Sequence, residues 1–360
     1  MKRKISLLLG ICIILYSCNS NKISNRIVSF EHNFKIKGEA VPLDSFIFFP
    51  KKMLWFDDST IVVSEIRDEY GIKVIRIRNQ KAHVLQKIVR RGNGPNEVIF
   101  NANIIQKDVK DLQKGIWIND IRWSQFHPYG EDGKFSEEFS HKFYFPKNLL
   151  PVNSSFIIND SIILGNTSSI SEQIFTYNSI SEELQTFNLH PKIDQSFSLQ
   201  DSKTVFNFDM DIRGDKKFIV MAYGLYKILN VVQTDDIAQT IQIQFKDGVN
   251  TRILTQDRVL QLNNIPIQYI KTYSTNDYIY ALYANKITKE LGIPSENEKK
   301  LQIHVFRWDG EPCCIINIDQ WINCFCVDDS NSIIYGFNPE KESNSELFLF
   351  PISGIFEKIS

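Results

Sequence analysis

Apolar and polar positions alternate along most of the chain with the two-residue period of a half-buried or sandwiched strand. Residues 61–63, 73–78, 218–221, 240–245 and 301–306 all read this way and are rich in β-branched and aromatic side chains. Helical periodicity is scarce; residues 287–292 and 296–300 allow a turn or two inside a surface loop that spans 286–300. The pattern predicts an all-β chain of many short strands.

A phrase recurs: an apolar strand, a tight Asp or Asn turn, then another apolar strand. It stands as Phe56-Asp57-Asp58-Ser59-Thr60-Ile61, Ile158-Asn159-Asp160-Ser161-Ile162 and Val327-Asp328-Asp329-Ser330-Asn331-Ser332-Ile333, with weaker copies around Asp215 and Asp277 and a poor one at Asp111. The markers Asp57, Asp111, Asp160, Asp215, Asp277 and Asp328 are 54, 49, 55, 62 and 51 residues apart. A period near fifty with three or four strands per unit predicts a six-bladed β-propeller over residues 27–360, each blade too thin to bury its faces without neighbours. The markers would be the hairpin turns after each blade's first strand, with that strand lining a central channel. Residues 27–43 would add a strand to the last blade and join the chain ends. A pair of unrelated β-sandwiches is the competing arrangement.

The N-terminus breaks the pattern. Met1-Lys2-Arg3-Lys4, an apolar run over residues 5–15 and Tyr16-Ser17 before Cys18 have the layout of a signal peptide over 1–17, and the run is too short to span a bilayer. Leu15-Tyr16-Ser17-Cys18 resembles a bacterial lipobox, which implies cleavage before Cys18 and acylation of it, a practically permanent membrane anchor. A plain signal peptide or a short transmembrane anchor, with an incidental Cys, is the blander alternative. Residues 18–26, polar and rich in Ser, Asn and Lys, are expected to be a lipidated end and flexible tether. No acidic residue follows Cys18 directly, which favours an outer-membrane protein facing the periplasm over export to the cell surface.

Charge narrows the partners. The chain has 41 Lys and Arg against 42 Asp and Glu, and loss of Lys2, Arg3 and Lys4 leaves 38 basic residues in the mature chain. Nucleic acid is therefore not expected as a partner. With Cys12 in the signal peptide and Cys18 acylated, four cysteines remain, Cys313, Cys314, Cys324 and Cys326. Adjacent thiolates suit no tetrahedral ion, so no metal and no cofactor is expected. A cross-strand disulfide and small buried strand residues are both open.

With the lipobox, the Asp-Asp-Ser turns and the phrase Arg91-Gly92-Asn93-Gly94-Pro95-Asn96-Glu97, the chain resembles the TolB-like six-bladed propeller lipoproteins of Bacteroidetes. In that family a Gly-x-Gly-Pro-x-Glu phrase followed by an aromatic closes an early blade; Val98 stands here in the aromatic place. The resemblance implies a fold and no reaction. Gly92, Gly94, Pro95 and Glu97 are expected to serve structure, because no Gly-Lys-Ser/Thr leads into a helix to cradle a phosphate.

Other candidates follow from composition. Trp117, Trp123 and Tyr129 form a candidate glycan platform, with core packing as the simpler role. Ser59 and Ser161 lie in Asp-Ser-apolar phrases that match the O-glycosylation acceptor of Bacteroidetes and also suit hairpin turns. No Gly-x-Ser-x-Gly or His-Glu-x-x-His occurs, and the six His are scattered. The sequence thus predicts an envelope lipoprotein, monomeric as a domain, acting as a binding or scaffolding module for a glycan or envelope protein. The alternative is a channel-centred lyase or lactone-type hydrolase, metal-assisted or not.

Overall fold

The computed structural model describes residues 22–94, 97–99, 102–191, 197–246, 255–256, 259–260, 265–287, 301–339 and 346–359. An N-terminal segment supplies β1 (Lys22–Val28), β2 (Asn33–Ile36) and β3 (Glu39–Val41). Blade 1 is β4 (Pro50–Trp55), β5 (Thr60–Glu65), β6 (Tyr70–Arg78) and β7 (Lys81–Arg90). Blade 2 is β8 (Asn103–Lys110), β9 (Gln113–Asp120), β10 (Trp123–Pro128) and β11 (His141–Tyr144). Blade 3 is β12 (Val152–Ile157), β13 (Ile162–Thr167), β14 (Ile174–Asn178) and β15 (Leu184–Phe187). Blade 4 is β16 (Phe208–Ile212), β17 (Phe218–Tyr223), β18 (Ile228–Gln233) and β19 (Gln239–Phe245), followed by a short hairpin, β20 (Thr255–Gln256) and β21 (Val259–Leu260). Blade 5 is β22 (Pro266–Ser274), β23 (Tyr278–Ile287), β24 (Leu301–Arg307) and β25 (Pro312–Ile318). Blade 6 is β26 (Cys324–Asp328), β27 (Ile333–Asn338) and β28 (Glu346–Pro351), completed by β3.

This is the six-bladed propeller that the repeat predicts, and the turn after each first strand falls at a marker. Asp57 Oδ1 accepts from Ser59 N at 3.0 Å and Asp215 Oδ1 from Lys217 N at 3.0 Å, Asx bonds that close the turn locally. Asn159 rather than Asp160 does this in blade 3, accepting from Ser161 N and Ile162 N. The poorly matching blade 2 turn uses Asp111 and Leu112 at positive φ, 49° and 64°. First strands touch their neighbours around the axis: β26 against β4, β4 against β8, β8 against β12, β16 against β22 and β22 against β26. Apolar clusters fill the gaps between blades, such as Val62, Ile72, Ile118 and Trp123 between blades 1 and 2, and Val220, Phe245, Ile279 and Phe306 between blades 4 and 5. Because each blade of the ring has a neighbour on either side, its inner strands are buried on both faces, and β5 has no exposed residue.

Ring closure is more extensive than the single added strand expected of residues 27–43. Glu39–Val41 does pair antiparallel with β28. The alternating stretch Phe34-Lys35-Ile36 instead runs parallel to β25 of blade 5, and β1 runs parallel to β19 of blade 4. The N-terminal segment is therefore a strap across three blades. Phe30, between the first two of these strands, packs against Phe245 of blade 4 and against His304 and Phe306 of blade 5, with ring centroids 5.0–5.6 Å apart. The strap begins at Lys22, so residues 22–26, expected in the tether, carry ladder bonds to β19 instead.

Among the described residues one α-helix, α1 (Leu199–Val205), escapes the sequence pattern; Ser198 caps it by accepting from Asp201 N at 3.1 Å. Most of the predicted loop 286–300 lies outside the described residues, and Lys286 and Ile287 end β23.

The four cysteines are free and buried. Cys313 and Cys314 lie on the fourth strand of blade 5, and Cys324 and Cys326 on the first strand of blade 6. The ladder neighbours of Cys314, Cys324 and Cys326 are Val305, Phe337 and Tyr335, so the cross-strand disulfide does not form. Burial pushes the thiol of Cys313 up to about 11 and those of Cys314 and Cys324 up to about 12. A thiol titration of the native protein at pH 8 should find these four unreactive, and denaturation should release all four. Fast reaction of any of them in the native state would contradict this burial.

Candidate functional site

The first strands bring charge to the axis. Lys51 and Lys52 come from β4, Asp209 and Asp211 from β16, and Lys271 from β22. Lys52 Nζ lies 3.1 Å from Asp211 Oδ1 and 5.6 Å above the Phe156 ring of blade 3. Lys271 Nζ lies 2.8 Å from Asp209 Oδ1, while Asp209 Oδ2 accepts from Thr272 N and Oγ1 at 2.8 and 2.9 Å. The two carboxylates, two positions apart on one strand, are driven in opposite directions. Burial pushes Asp209 up, but the charges of Lys271 and Lys52 and the bonds from Lys271 and Thr272 outweigh it and hold the group below the usual carboxylate range. Burial dominates at Asp211 and raises it, with the Asp209 charge adding to the effect. Burial, with the Lys271 charge, lowers Lys51.

Above this floor, on the face formed by the turns after the first strands, opens a cavity of about 610 Å³. Blades 1, 2, 4, 5 and 6 all contribute to it. Its acids are Asp57, Asp58, Asp211 and Asp329, and its bases Lys107, Lys114, Arg213 and Lys216, so its lining is charge-balanced. Tyr129 is fixed at the wall: its hydroxyl donates to Asp57 Oδ2 at 3.2 Å and accepts from Arg76 Nη2 at 3.1 Å. Lys216 Nζ sits 2.8 Å from both oxygens of Asp108, and Arg213 is clamped by Asp215 at 2.6–2.7 Å above the Phe218 ring. Backbone N–H of Trp55 donates to the Tyr273 hydroxyl at 3.2 Å, tying the walls of blades 1 and 5.

Of the three aromatic residues in the candidate platform, only Tyr129 reaches this cavity. Trp117 and Trp123 are buried in the blades; the indole N–H of Trp117 donates to Asp108 Oδ2 at 2.9 Å, and Lys142 Nζ stands 4.6 Å above the Trp123 ring. Ser59 and Ser161 both lie in the turns after first strands, and Asp58 beside Ser59 lines the cavity. His127 and His304 are buried elsewhere, bonded to the Ser136 carbonyl and the Tyr269 hydroxyl. Among the described residues no three His, Cys, Asp or Glu side chains gather as ligands for an ion.

The glycine phrase is built around Glu97. Its Oε2 accepts from Gly94 N at 2.8 Å, its own N–H donates to Gly94 O, and Val98 N donates to Arg90 O. A Cβ on Gly92 would stand 2.0 Å from Glu97 Oε2, and one on Gly94 would stand 3.0 Å from Glu97 Cδ, so the carboxylate occupies the space that side chains would take. Val98 is fully buried. Pro95, also expected to serve this turn, lies outside the described residues.

A six-bladed ring with a charged axial cavity at one end is the architecture of a propeller that serves in general as a binding or scaffold module. The sequence profile described as TolB-like 6-blade propeller-like matches residues 29–330, and the chain belongs to this family. A crystal structure of a DUF4221 family member from Bacteroides vulgatus superimposes with a TM-score of 0.55 at 16% identity, over 88% of this chain and 98% of that one. The WD40 repeats of RRP9 give a TM-score of 0.48 at 9% identity, over 88% and 99%. The β-propeller domain of Myceliophteria thermophila Cps50 (Swd1) gives 0.46 at 10%, over 88% and 100%. No curated protein matches significantly.

The sequence offers Trp117, Trp123 and Tyr129 as a candidate platform, with core packing as the simpler role, which the two Trp residues take; Lys52, Asp209, Asp211 and Lys271 were missed. A signal was present: each lies four to six positions ahead of a turn marker, on the strand next to the axis. At that place the charges match one another, Lys52 with Asp211 and Lys271 with Asp209.

Proposed function

We propose that this protein is an envelope lipoprotein, anchored through acylated Cys18, whose axial cavity binds a polar, uncharged or zwitterionic ligand of the glycan class. The carrying observation is the cavity itself: about 610 Å³, with four acids and four bases set around Tyr129, Phe56 and Trp55. Balanced charge disfavours strongly anionic or cationic ligands, while aromatic faces beside hydrogen-bonding groups suit sugar rings. A ring of this kind is also a scaffold on which envelope proteins could assemble, and the outer membrane, periplasmic face, is the location that the lipobox context favours.

The test is calorimetric titration of the full chain with chitotriose, maltotriose and triglycine. At least one sugar should bind, and Lys114→Glu at the exposed rim should weaken it about tenfold. Binding of none, or binding indifferent to Lys114→Glu and Tyr129→Phe, would overturn the cavity as the site. A second reading rests on Asp211: an acid raised by burial beside an ionised neighbour is the arrangement of a general acid, so a lyase or lactone hydrolase is the alternative. Lactone turnover lost in Asp211→Asn would support it.

A further inference from the structure

We infer that the face bearing the cavity mouth rests on the lipid bilayer, an inference that takes the anchor at Cys18 from the reading above. The first argument is where the chain leaves the fold. Lys22 pairs with Gln239, at the head of β19. The turn before β19 is joined to the turn before β17 by Thr234 N donating to Lys217 O at 2.9 Å. Arg213, Gly214 and Lys216 of that neighbouring turn line the cavity. Lys22 therefore stands on the mouth face, at the rim of blade 4. Cys18 is four residues upstream, a reach of at most about 14 Å even when extended. A blade strand of six residues is about 20 Å long, so the acylated residue cannot reach round to the opposite face.

The second argument is apolar exposure. Leu112 and Ile180, 98% and 80% exposed, are the two most exposed large apolar side chains among the described residues. Leu112 is at the tip of the turn after the first strand of blade 2, next to cavity-lining Lys114, and it occupies a left-handed corner where Gly or Asn is the ordinary choice. Ile180 is in the last turn of blade 3, tied to that blade's first turn by Ser179 N donating to Ser161 O at 2.7 Å. Both tips thus project from the mouth face, on the two blades that precede the tethered blade 4. Exposed Val109 flanks Leu112. The charges nearby are mixed, Lys110, Asp111, Lys114, Glu182 and Glu183, so contact is led by apolar insertion and needs no anionic lipid. Exposed Phe46, Phe48 and Phe49 precede β4 and lie on the opposite face, out of the tether's reach. Held this way, the cavity opens towards the membrane surface.

The test uses the full chain, expressed with its N-terminal segment and reconstituted in phosphatidylcholine vesicles. An environment-sensitive fluorophore is placed on Leu112→Cys, Ile180→Cys or, as a far-face control, Tyr144→Cys, in a background whose own described thiols are buried. Mass spectrometry of the N-terminal peptide reports acylation of Cys18 independently. The expected result is a blue shift and several-fold weaker iodide quenching at positions 112 and 180, with neither at 144. Acylated protein in which all three positions are quenched alike would overturn the orientation and leave the anchor standing. Absence of the acyl group would remove the anchor and the orientation together.

Discussion

Replacing Lys73 by Met should cost about 3–5 kcal/mol of folding stability, read as a drop in the midpoint of chemical unfolding. Lys73 is fully buried in β6, and its ammonium lies 2.6 Å from Glu65 Oε2, 2.7 Å from Asp68 Oδ2 and 2.6 Å from the Phe46 carbonyl. Glu65 is equally buried, its other oxygen accepting from Phe48 N at 2.8 Å. Removing the one ammonium strands a carboxylate out of water, which is far more costly than the pair itself is stabilising. The double variant Lys73→Met, Glu65→Gln should recover a large part of the loss, since the uncompensated charge is gone. If the single variant unfolds at the wild-type midpoint, the triad does not hold this corner.

The same cluster sets an acid limb. Burial pushes the Asp68 carboxyl up, but bonds from Lys73 and Lys87 outweigh it and bring it down to about 2 from 3.8. A folded-state value below the unfolded one means that the contribution is complete above pH 3.8 and drains away as pH falls towards 2. With solvent screening of this partly open group, it amounts to about 1 kcal/mol at neutral pH. Asp68→Asn should remove this limb from the stability profile and leave the neutral side flat.

A chain that starts at Asp44 should not fold cooperatively. The strap lost with residues 22–43 includes buried Val28 and Val41, the Phe30 ring wedged between blades 4 and 5, and the strand that completes blade 6. Large-to-small losses of about 1–4 kcal/mol at each of three such side chains would consume most of the roughly 5–15 kcal/mol that keeps a domain folded. Circular dichroism melts of chains starting at Lys22 and at Asp44 make the comparison. Equal midpoints would show that the strap is ornamental.

The repeat made the ring legible, because hairpin turns need residues that tolerate their backbone angles and those residues recur at a fixed spacing. What alternation left undecided was exposure. In Lys73-Val74-Ile75-Arg76 a half-buried strand would turn its polar positions to solvent; Lys73 is buried instead, because a blade has a neighbour on either side and both faces are interior. The same geometry hid Trp117 and Trp123 in the core. The cavity was out of reach for a different reason. Its members come from five blades, and no local spacing joins Lys107 to Asp211 or Asp329. Within one blade the only trace was the placement of charge ahead of the turn markers. The strap's parallel strands left no trace at all, since alternation in residues 33–36 says that a strand exists and nothing about which edge it meets.

The seam between β3 and β28 joins a strand that precedes blade 1 to the last hairpin of blade 6. During synthesis, the strand that seals the ring emerges before any blade and must wait, unpaired, until the final hairpin arrives. A truncated or stalled chain cannot reach the closed state from any starting point, whatever number of its blades has formed. Closure is thus a proofreading step for completeness, and an unfinished product is left with a raw strand edge on blade 6 for quality-control proteases to find.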